Sequence, residues 1–469
     1  MSVPDIVAAH QDAGPVAPVA DGSITPSQEK TETEPDGSLT PNSVQDERGA
    51  LFQSVDIAAS TGDIAEKDAD DVTLGGYETP QQKGSPRNSV LASIKRKTSA
   101  TEYPPLTDEA GKEAAARERD RANAHRAGGI RFAPWNIPYR RRVQTMAVVA
   151  HCMSIVMTVS FFFFLCAIPL TWPLLIPYLL HMLLSKSASD GRLRARSERF
   201  RRLPVWRFFA DYFPARLHKT HHLPPTRKYI FGYHPHGIIS HGAFAAFGTE
   251  ALGFADQFPG ITNSLLTLDS NFRIPLYRDY ILALGIQSVS KESIQAILTT
   301  GGLNGEGMGR AVTIVVGGAR ESLEAYPGTL HLVLAQRKGF VKMALRTGAD
   351  LVPVLAFGEN DLYDQVSPQR HPLLHALQRW LLRTLKFTLP FLHGRGIFNY
   401  DVGLMPYRRP LNVVVGRPIA VRQVREGNGV DPREVDRLHA EYVGELERMW
   451  EVYKDVFAPG RKEEMRILR

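Results

Sequence analysis

A run of about forty residues without an Asp, Glu, Lys or Arg, from Thr145 to Leu184, limits what this chain can fold into more than any other feature. It includes four consecutive phenylalanines at positions 161–164. One helical membrane crossing needs roughly 20 apolar residues, so the run is long enough for two crossings. Prolines at positions 169, 173 and 177 would break a single long helix. The run therefore predicts a membrane hairpin of two spans over residues 143–186.

Both flanks of this run are basic. Residues 140–142 are three arginines, and the far side carries Lys186, Arg192, Arg194 and Arg196. Because basic residues accumulate on the cytosolic side of a membrane, we expect both flanks to lie there. A re-entrant wedge that never crosses the bilayer is the main alternative. A pair of helices buried in a soluble core is a further alternative.

Charge is divided unevenly along the chain. Residues 1–80 contain 16 acidic and 3 basic side chains, and since the whole chain carries +7, residues 81–469 carry +20. The first 125 residues have too few large apolar side chains to offset the entropy of ordering, which predicts a disordered acidic tail over 1–125. A basic body is typical of proteins that bind nucleic acid, an anionic membrane or an anionic cofactor, and charge alone does not decide among these.

Cysteine use excludes two classes of protein. The chain contains only Cys152 and Cys166, and both lie in the apolar run. A disulfide scaffold and a cysteine-rich metal site are therefore excluded. The extreme N-terminus carries no apolar segment, so we expect no cleavable secretory signal.

Two further segments combine aromatic or leucine side chains with arginines. They span residues 203–216 and 371–392. Such composition favours a helix in the plane of an anionic membrane interface, and ordinary packing on the protein is the alternative for each. We therefore expect a basic juxtamembrane segment at 126–142 and an interfacial segment at 187–226, on either side of the hairpin.

The rest of the chain, residues 227–460, alternates strand-like and helix-like stretches, which predicts an α/β domain. Ser290 is a helix-capping residue, and Asp431-Pro432 is typical of the start of a helix. The predicted strands cover residues 228–233, 312–316, 331–335 and 351–357, and the predicted helices cover 291–300, 340–347 and a final amphipathic stretch after residue 432.

The first turn with potential chemistry is His234-Pro235-His236-Gly237, directly after a predicted strand. Ligands of open α/β sheets bind at the carboxyl ends of strands. A neutral imidazole is well suited to remove a hydroxyl proton near neutral pH. The spacing of His234 and His236, with His241 nearby, is also compatible with a metal site, although no carboxylate stands beside them. The third interpretation is that these histidines have a purely structural role.

The second turn is Gly317-Gly318-Ala319-Arg320-Glu321-Ser322, which also follows a predicted strand. Backbone N–H groups at such a turn can hold an anion, and Arg320 would add a charged contact. The turn lacks the Gly-Lys-Ser/Thr ending of a nucleotide-binding loop. Taken alone, the turn is weak evidence for a site, and a simple structural turn is the default interpretation.

Several stretches together resemble the type-2 diacylglycerol acyltransferase family, which includes monoacylglycerol acyltransferases and wax-ester synthases. The resemblance covers roughly residues 130–460, in the order of the family. The stretches are YFP at 212–214, HPHG at 234–237, YRDY at 277–280, GGARESL at 317–323, RKGFVKMAL at 337–345, GADLVPVLAFGEND at 348–361 and GRGIF at 394–398. The expected fold is thus an α/β domain with a mixed sheet like that of glycerolipid acyltransferases, preceded by a membrane hairpin and a disordered tail.

The resemblance implies direct acyl transfer from acyl-CoA to the hydroxyl of diacylglycerol, giving triacylglycerol. His236 would act as the base and His234 would shape the turn. Glycerolipid acyltransferases with soluble headgroups pair the catalytic histidine with an Asp five residues later, and here that position is His241. Glu321, a candidate catalytic residue, and Glu359 are therefore candidates to orient the base. The residues implied for acyl-CoA binding are Gly317, Gly318, Arg320, Arg337 and Lys338.

The resemblance also implies where the enzyme works and what it needs. No cofactor or metal is expected, because acyl-CoA is a substrate, and no nucleic acid is expected as a partner. The expected location is the endoplasmic reticulum membrane with the catalytic face in the cytosol, and lipid droplets are a second location. A homo-oligomer is left open. Two hypotheses from other classes are a metal-dependent lipid hydrolase using His234, His236 and His241, and a non-catalytic lipid-droplet protein.

Overall fold

The computed structural model of the protein describes residues 103–109, 125–365, 392–424 and 429–469. The apolar run forms three helices: α1 (Tyr139–Cys152), α2 (Ser154–Cys166) and α3 (Trp172–Leu184), the last preceded by a short 3-10 turn. The other helices are α4 (Glu198–Arg201), α5 (Pro204–Tyr212), α6 (His241–Ala243), α7 (Phe254–Gln257), α8 (Tyr277–Ala283), α9 (Lys291–Thr299), α10 (Gly318–Glu321), α11 (Gly339–Thr347) and α12 (Pro432–Phe457).

The strands are short and lie mainly in one sheet. In chain order they are β1 (His125–Ala127), β2 (Ile130–Phe132), β3 (Arg216–Lys219), β4 (Tyr229–His234), β5 (Thr262–Thr267), β6 (Gln287–Ser288), β7 (Arg310–Val315), β8 (His331–Val333), β9 (Asp350–Phe357), β10 (Asp364–Gln365), β11 (Leu392–His393), β12 (Asn412–Val415) and β13 (Arg466–Leu468). Seven of them form a sheet in the order β3-β12-β9-β4-β7-β5-β6. Only β12 and β9 pair antiparallel in it, so the predicted mixed sheet is confirmed.

Apolar side chains cover both faces of this sheet. Every residue of β4 and β9 is buried. Side chains alternate along a strand, so Phe231 joins one hydrophobic cluster with α5 while Ile230 joins a second cluster with α9, α11 and α12. The sheet thus forms the middle layer, and the unbroken apolar sequences of β4 and β9 follow from burial on both faces.

The helix caps agree with the sequence predictions. The Ser290 side chain accepts a hydrogen bond from the Ser293 N–H at 3.2 Å and begins α9. The Asp431 side chain accepts one from the Arg433 N–H at 2.9 Å and begins α12, with Pro432 in the first turn. The predicted elements of residues 227–460 are confirmed within one or two residues. Strands β3, β5, β6 and β12 of the seven-stranded sheet were not predicted.

The helices of the apolar run differ from two complete spans. The chain breaks at Met153, where α1 and α2 meet with a bend of 63°. In the described ranges no single helix is long and apolar enough to cross a membrane. Taken together, α1 and α2 are long and apolar enough, but only as a bent pair. α2 buries no residue against the protein, whereas Ala147 and Val148 of α1 lie in the same cluster as Phe209 of α5.

The aromatic segment 203–216 packs into the protein through one side. Trp206, Phe209, Tyr212 and Phe213 are buried, as the packing alternative predicts for these side chains. Membrane contact of this segment stays a prediction. Most of the second segment, 371–392, lies outside the described residues, as do residues 1–102.

A short stretch inside the predicted tail packs on the domain. The Tyr103 ring lies edge-on to Tyr453 of α12, and its hydroxyl donates to the buried carboxylate of Glu445. Tyr453 in turn donates to the Pro104 carbonyl at 2.8 Å. Residues 103–109 therefore pack on α12 of the α/β domain, whereas the sequence predicted that they belong to the tail.

Candidate active site

The sheet brings the two glycine-containing turns together. β4 lies between β7 and β9 and runs parallel to both, so Tyr233 pairs with Val315 on one side and Val354 on the other. The carboxyl ends of the three strands meet at one edge. The turns at 234–237 and 317–322 follow β4 and β7, and Gly358-Glu359 follows β9. This is the edge where ligands of parallel sheets bind.

His236 lies at the centre of this edge and is half-buried. Its Nδ1 is 3.1 Å from the Gly237 carbonyl oxygen. Because a carbonyl oxygen only accepts hydrogen bonds, Nδ1 carries the proton and Nε2 keeps a lone pair. Burial lowers the pKa of His236 below its ordinary value, which keeps the ring neutral at pH 7. A neutral imidazole with a lone pair on Nε2 can accept a proton.

Glu321 holds the backbone of this turn. One carboxylate oxygen accepts the His236 N–H at 2.6 Å and the other accepts the Val333 N–H at 2.6 Å. A Cβ at Gly317 would overlap this carboxyl group, which explains glycine at that position. Burial raises the pKa of Glu321 to about 7, against the two hydrogen bonds and Arg337, which lower it. Glu321 thus contacts the main chain of His236 and positions it.

His234 is fully buried beneath the turn. Its Nε2 is 3.0 Å from the Tyr442 hydroxyl, and that hydroxyl donates its single proton to the Gly232 carbonyl at 3.0 Å. Nε2 of His234 is therefore the donor. Burial, with His439 nearby, lowers the pKa of His234 to about 3. These contacts fit the predicted role of His234 in shaping the turn.

Glu359 supports the turn from the opposite side. Its Oε2 accepts the Tyr233 hydroxyl at 2.7 Å and the Gly242 N–H at 2.9 Å. A Cβ at Gly237 would come within 2.6 Å of Glu359 Cγ. Burial raises the pKa of Glu359 to about 7. Two buried carboxyl groups therefore bracket the turn, and neither hydrogen-bonds to the His236 ring in the described structure.

His241 does not take the place of an orienting acid. It is buried, and its Nε2 is 3.1 Å from the Tyr363 hydroxyl. His234 and His241 thus each face a tyrosine rather than a common centre. Among the residues that the structure describes, no three His, Cys, Asp or Glu side chains are grouped so that they could hold a metal ion.

Comparison with known proteins places this geometry in a family. A family model described as diacylglycerol acyltransferase matches residues 162–467. The chain belongs to the diacylglycerol acyltransferase family. The membership covers the sheet, both turns and Glu359, so the resemblance noted in the sequence is confirmed.

The alignments with curated relatives cover most of the length of each relative. Diacylglycerol O-acyltransferase 2A of Umbelopsis ramanniana is 48% identical over 340 residues, which are 72% of this chain and 94% of that protein. Diacylglycerol O-acyltransferase 1 of Schizosaccharomyces pombe is 44% identical over 69% of this chain and 91% of its own. 2-acylglycerol O-acyltransferase 1 of Bos taurus is 44% identical over 69% of this chain and 95% of its own.

The basic residues predicted to bind acyl-CoA lie in different surroundings in this member of the diacylglycerol acyltransferase family. Arg320 is exposed on α10, which is a single turn, directly before Glu321. Arg337 is half-buried and its charge acts on Glu321. Lys338 pairs with Asp436 of α12 at 2.8 Å on the surface. The structure therefore brings Arg320 and Arg337 to the site edge and directs Lys338 toward α12.

Sequence reasoning missed the tyrosines of this family member's site. Tyr442 contacts His234 across 208 positions of sequence, and it looks like an ordinary apolar position of an amphipathic helix. Tyr233 was assigned to a strand, although its hydroxyl binds Glu359. Ser240, whose side chain donates to the His236 carbonyl at 2.8 Å, was also missed. A glycine facing each hydroxyl, Gly232 for Tyr442 and Gly242 for Tyr233, is the signal that could have found the two tyrosines.

Proposed function

We propose that this protein transfers a fatty acyl group from acyl-CoA to the free hydroxyl of diacylglycerol and forms triacylglycerol. Membership of the diacylglycerol acyltransferase family supports the reaction, as do the relatives named diacylglycerol O-acyltransferase. The observation that carries the proposal is His236 at the carboxyl edge of the sheet, with Nδ1 bonded to a carbonyl and Nε2 left as the basic atom.

In the proposed mechanism, the acceptor hydroxyl lies against Nε2 of His236. As the hydroxyl oxygen attacks the thioester carbonyl carbon, its proton passes to Nε2. The tetrahedral intermediate then breaks its C–S bond, and the proton leaves His236 with the CoA sulfur. The transfer is direct and forms no acyl-enzyme. The new bond is an ester C–O bond, and the leaving group is CoA thiol.

Glu321 and Glu359 keep the base in place. Glu321 accepts a hydrogen bond from the His236 N–H, and Glu359 accepts hydrogen bonds from the Tyr233 hydroxyl and the Gly242 N–H, so both are positioning residues. A turn held by buried carboxyl groups costs little reorganisation during the reaction, which is how positioned groups lower a barrier.

The anionic end of acyl-CoA is proposed to bind beside Glu321. Arg320 and Arg337 provide guanidinium groups that match phosphate oxygens. Gly317 and Gly318 allow the ligand to approach the backbone closely. Lys338 would take part by exchanging Asp436 for a phosphate, since an exposed ion pair of this kind contributes little to stability.

Monoacylglycerol is the second candidate acceptor. Relatives named 2-acylglycerol O-acyltransferase are 44% identical in Bos taurus and 40% identical in Homo sapiens. A long-chain alcohol, which would give a wax ester, is a third acceptor of the same chemistry. All three present a hydroxyl group to the same base.

We further propose that the protein is held in the endoplasmic reticulum membrane with its catalytic face in the cytosol, and that it also reaches lipid droplets. Support comes from the apolar run, its basic flanks and the exposed side chains of α2 and α3, including Phe163, Leu174 and Leu184. The bend between α1 and α2 is compatible both with a broken membrane span and with the re-entrant form of the hairpin. Both forms place the two flanks on the same side.

Lipid analysis tests this function directly. The full chain is expressed in cells that lack neutral-lipid synthesis, with His236→Asn as the matched variant, and the lipids are separated. Triacylglycerol should accumulate only with the unaltered chain. Accumulation of wax ester, or of diacylglycerol from supplied monoacylglycerol, would select another acceptor. Release of free fatty acid alone would indicate a hydrolase, and a stable protein without any ester product would contradict the proposal.

A further inference from the structure

Two segments far apart in sequence form one small unit beside α1. β1 and β2 pair as a hairpin, and the stretch after them binds the loop at 394–405. The Ala133 N–H donates to the Phe398 carbonyl at 3.0 Å, and the Tyr400 N–H donates to the Arg131 carbonyl at 2.8 Å. Arg131 also forms an ion pair with Asp401 at 2.6 Å. The segments 125–135 and 394–405 are here called the paired-loop unit.

The paired-loop unit exposes large apolar side chains. Trp135 is 90% exposed, Phe398 77% and Leu404 71%. The full set of exposed large apolar residues in the unit is Phe132, Trp135, Ile397, Phe398, Val402 and Leu404. Single exposed apolar residues are normal on protein surfaces, but several on one small unit indicate an interaction surface.

The unit is fixed to the proposed membrane helices. The guanidinium of Arg142 in α1 donates to the Trp135 carbonyl at 2.7 Å. Three residues beyond the unit, Arg408 donates to the side chains of Gln144 at 2.8 Å and Thr145 at 2.9 Å, both in α1. Hydrogen bonds therefore join the unit and the residues next to it to the helix that begins the apolar run.

The unit also lies at the catalytic edge of the sheet. The Tyr407 N–H, just beyond the loop, donates to the Leu362 carbonyl at 2.7 Å, one turn after Glu359. The chain then enters β12 at Asn412, which pairs with Phe357 at the carboxyl end of β9. A surface that touches the membrane here would bring the catalytic edge to the lipid.

We propose that the paired-loop unit inserts its exposed apolar side chains into the phospholipid leaflet that holds the apolar run. Trp135 suits the headgroup level, where tryptophan concentrates. Arg142 is exposed next to it and complements the phosphates of an anionic leaflet, whereas Arg140 pairs with Asp211 at 2.6 Å. The inference rests on the proposed membrane attachment and assigns the GRGIF segment a lipid contact outside the apolar run.

The test uses the full chain with Cys152→Ser and Cys166→Ser as background. A single cysteine is introduced by Phe398→Cys or Leu404→Cys and labelled with an environment-sensitive fluorophore. The matched control is Leu303→Cys, because Leu303 is 66% exposed but precedes β7 at the opposite edge of the sheet. Each labelled protein is first assayed for acyl transfer in detergent, so that failure of the activity and failure of the lipid contact are read separately.

The labelled proteins are then placed in nanodiscs of phosphatidylcholine and phosphatidylserine. Lipids with a nitroxide on the acyl chain should quench the label at 398 and 404 and leave the label at 303 unchanged, while aqueous iodide should quench only the label at 303. Equal access of iodide to all three positions would overturn the proposal. Protection from iodide without quenching by nitroxide lipid would also overturn it, because a protein partner or a second copy would then cover the surface.

Discussion

Replacing Tyr442 by phenylalanine tests whether α12 supports the catalytic turn. The hydroxyl of Tyr442 is fully buried and bonds both His234 Nε2 and the Gly232 carbonyl, each at 3.0 Å. Tyr442→Phe leaves both groups buried without this partner. An unsatisfied buried group costs about 1–3 kcal/mol, so loss of the partner of two groups should lower the free energy of unfolding by about 2–6 kcal/mol. For a domain of this size that is a fall in Tm of about 3–8 °C.

Turnover should fall together with stability. His234 ends the strand that leads into the turn, so its displacement would move His236, and a misplaced catalytic group can cost about 10²-fold. The apparent KM for acyl-CoA should change less than kcat, because Tyr442 does not belong to the proposed CoA site. Both quantities are measured on purified protein in detergent, by thermal unfolding and by CoA thiol release.

Tyr453→Phe is the matched control on the same helix. Its hydroxyl bonds the Pro104 carbonyl, at the docked N-terminal stretch. The control should lose about 0.5–1.5 kcal/mol and keep its turnover. If Tyr442→Phe behaved like Tyr453→Phe, or retained wild-type turnover, the proposed support of the turn by α12 would be refuted.

Three further predictions concern other parts of the chain. Between pH 4.5 and 7, the free energy of unfolding of the unaltered protein should fall by about 3 kcal/mol more than that of Glu321→Gln, as measured by unfolding at each pH. The reason is that the pKa of Glu321 is about 7 in the folded state, so the folded protein binds this proton more tightly than the unfolded chain does. Deleting residues 1–100 should leave acyl transfer largely intact. Deleting residues 1–109 should lower the Tm, because Glu445 then loses the hydrogen bond from the Tyr103 hydroxyl. Equal Tm values for the two deletions would contradict this. Arg320→Ala should weaken acyl-CoA binding by about 1.5–3 kcal/mol, which raises the apparent KM for acyl-CoA, while turnover is largely kept. An unchanged KM in steady-state assays would exclude a contact between Arg320 and a CoA phosphate.

Topology gives a separate prediction. Tags placed before Arg140 and after Arg202 should both be cleaved by protease added to the cytosolic side of intact microsomes. The basic flanks and either form of the hairpin require this result. Protection of one tag alone would show that the run crosses the membrane an odd number of times.

Local sequence patterns predicted the strands and helices that are determined by burial pattern and by capping residues. The strand at 228–233 and the helix after Asp431 were predictable because burial on both faces and capping leave direct traces in the sequence. Strands β3, β5, β6 and β12 of the main sheet were missed because stretches of two to six residues carry little periodic signal. The break at Met153 was missed because no proline or glycine marks it.

The candidate site was predictable in part for the same reason. His236 and Glu321 stand in glycine-containing turns after strands, and the sheet brings those turns together. The resemblance alone made Glu321 a candidate to orient the base; local pattern did not predict the hydrogen bond between the His236 N–H and Glu321, because it joins positions 85 apart in sequence. Likewise, nothing local distinguishes the hydroxyl of Tyr442 from that of any other helical tyrosine. Long-range packing decides these contacts.

The role of His236 as the base is the central claim, and His236→Asn tests it most directly. The asparagine amide can keep the hydrogen bond to the Gly237 carbonyl that Nδ1 makes, but it has no atom at the position of Nε2. With purified protein, diacylglycerol and oleoyl-CoA, we predict a fall in kcat of about 10²–10⁴-fold, with Tm and the apparent KM for oleoyl-CoA nearly unchanged. Wild-type turnover by a folded His236→Asn protein would contradict the account.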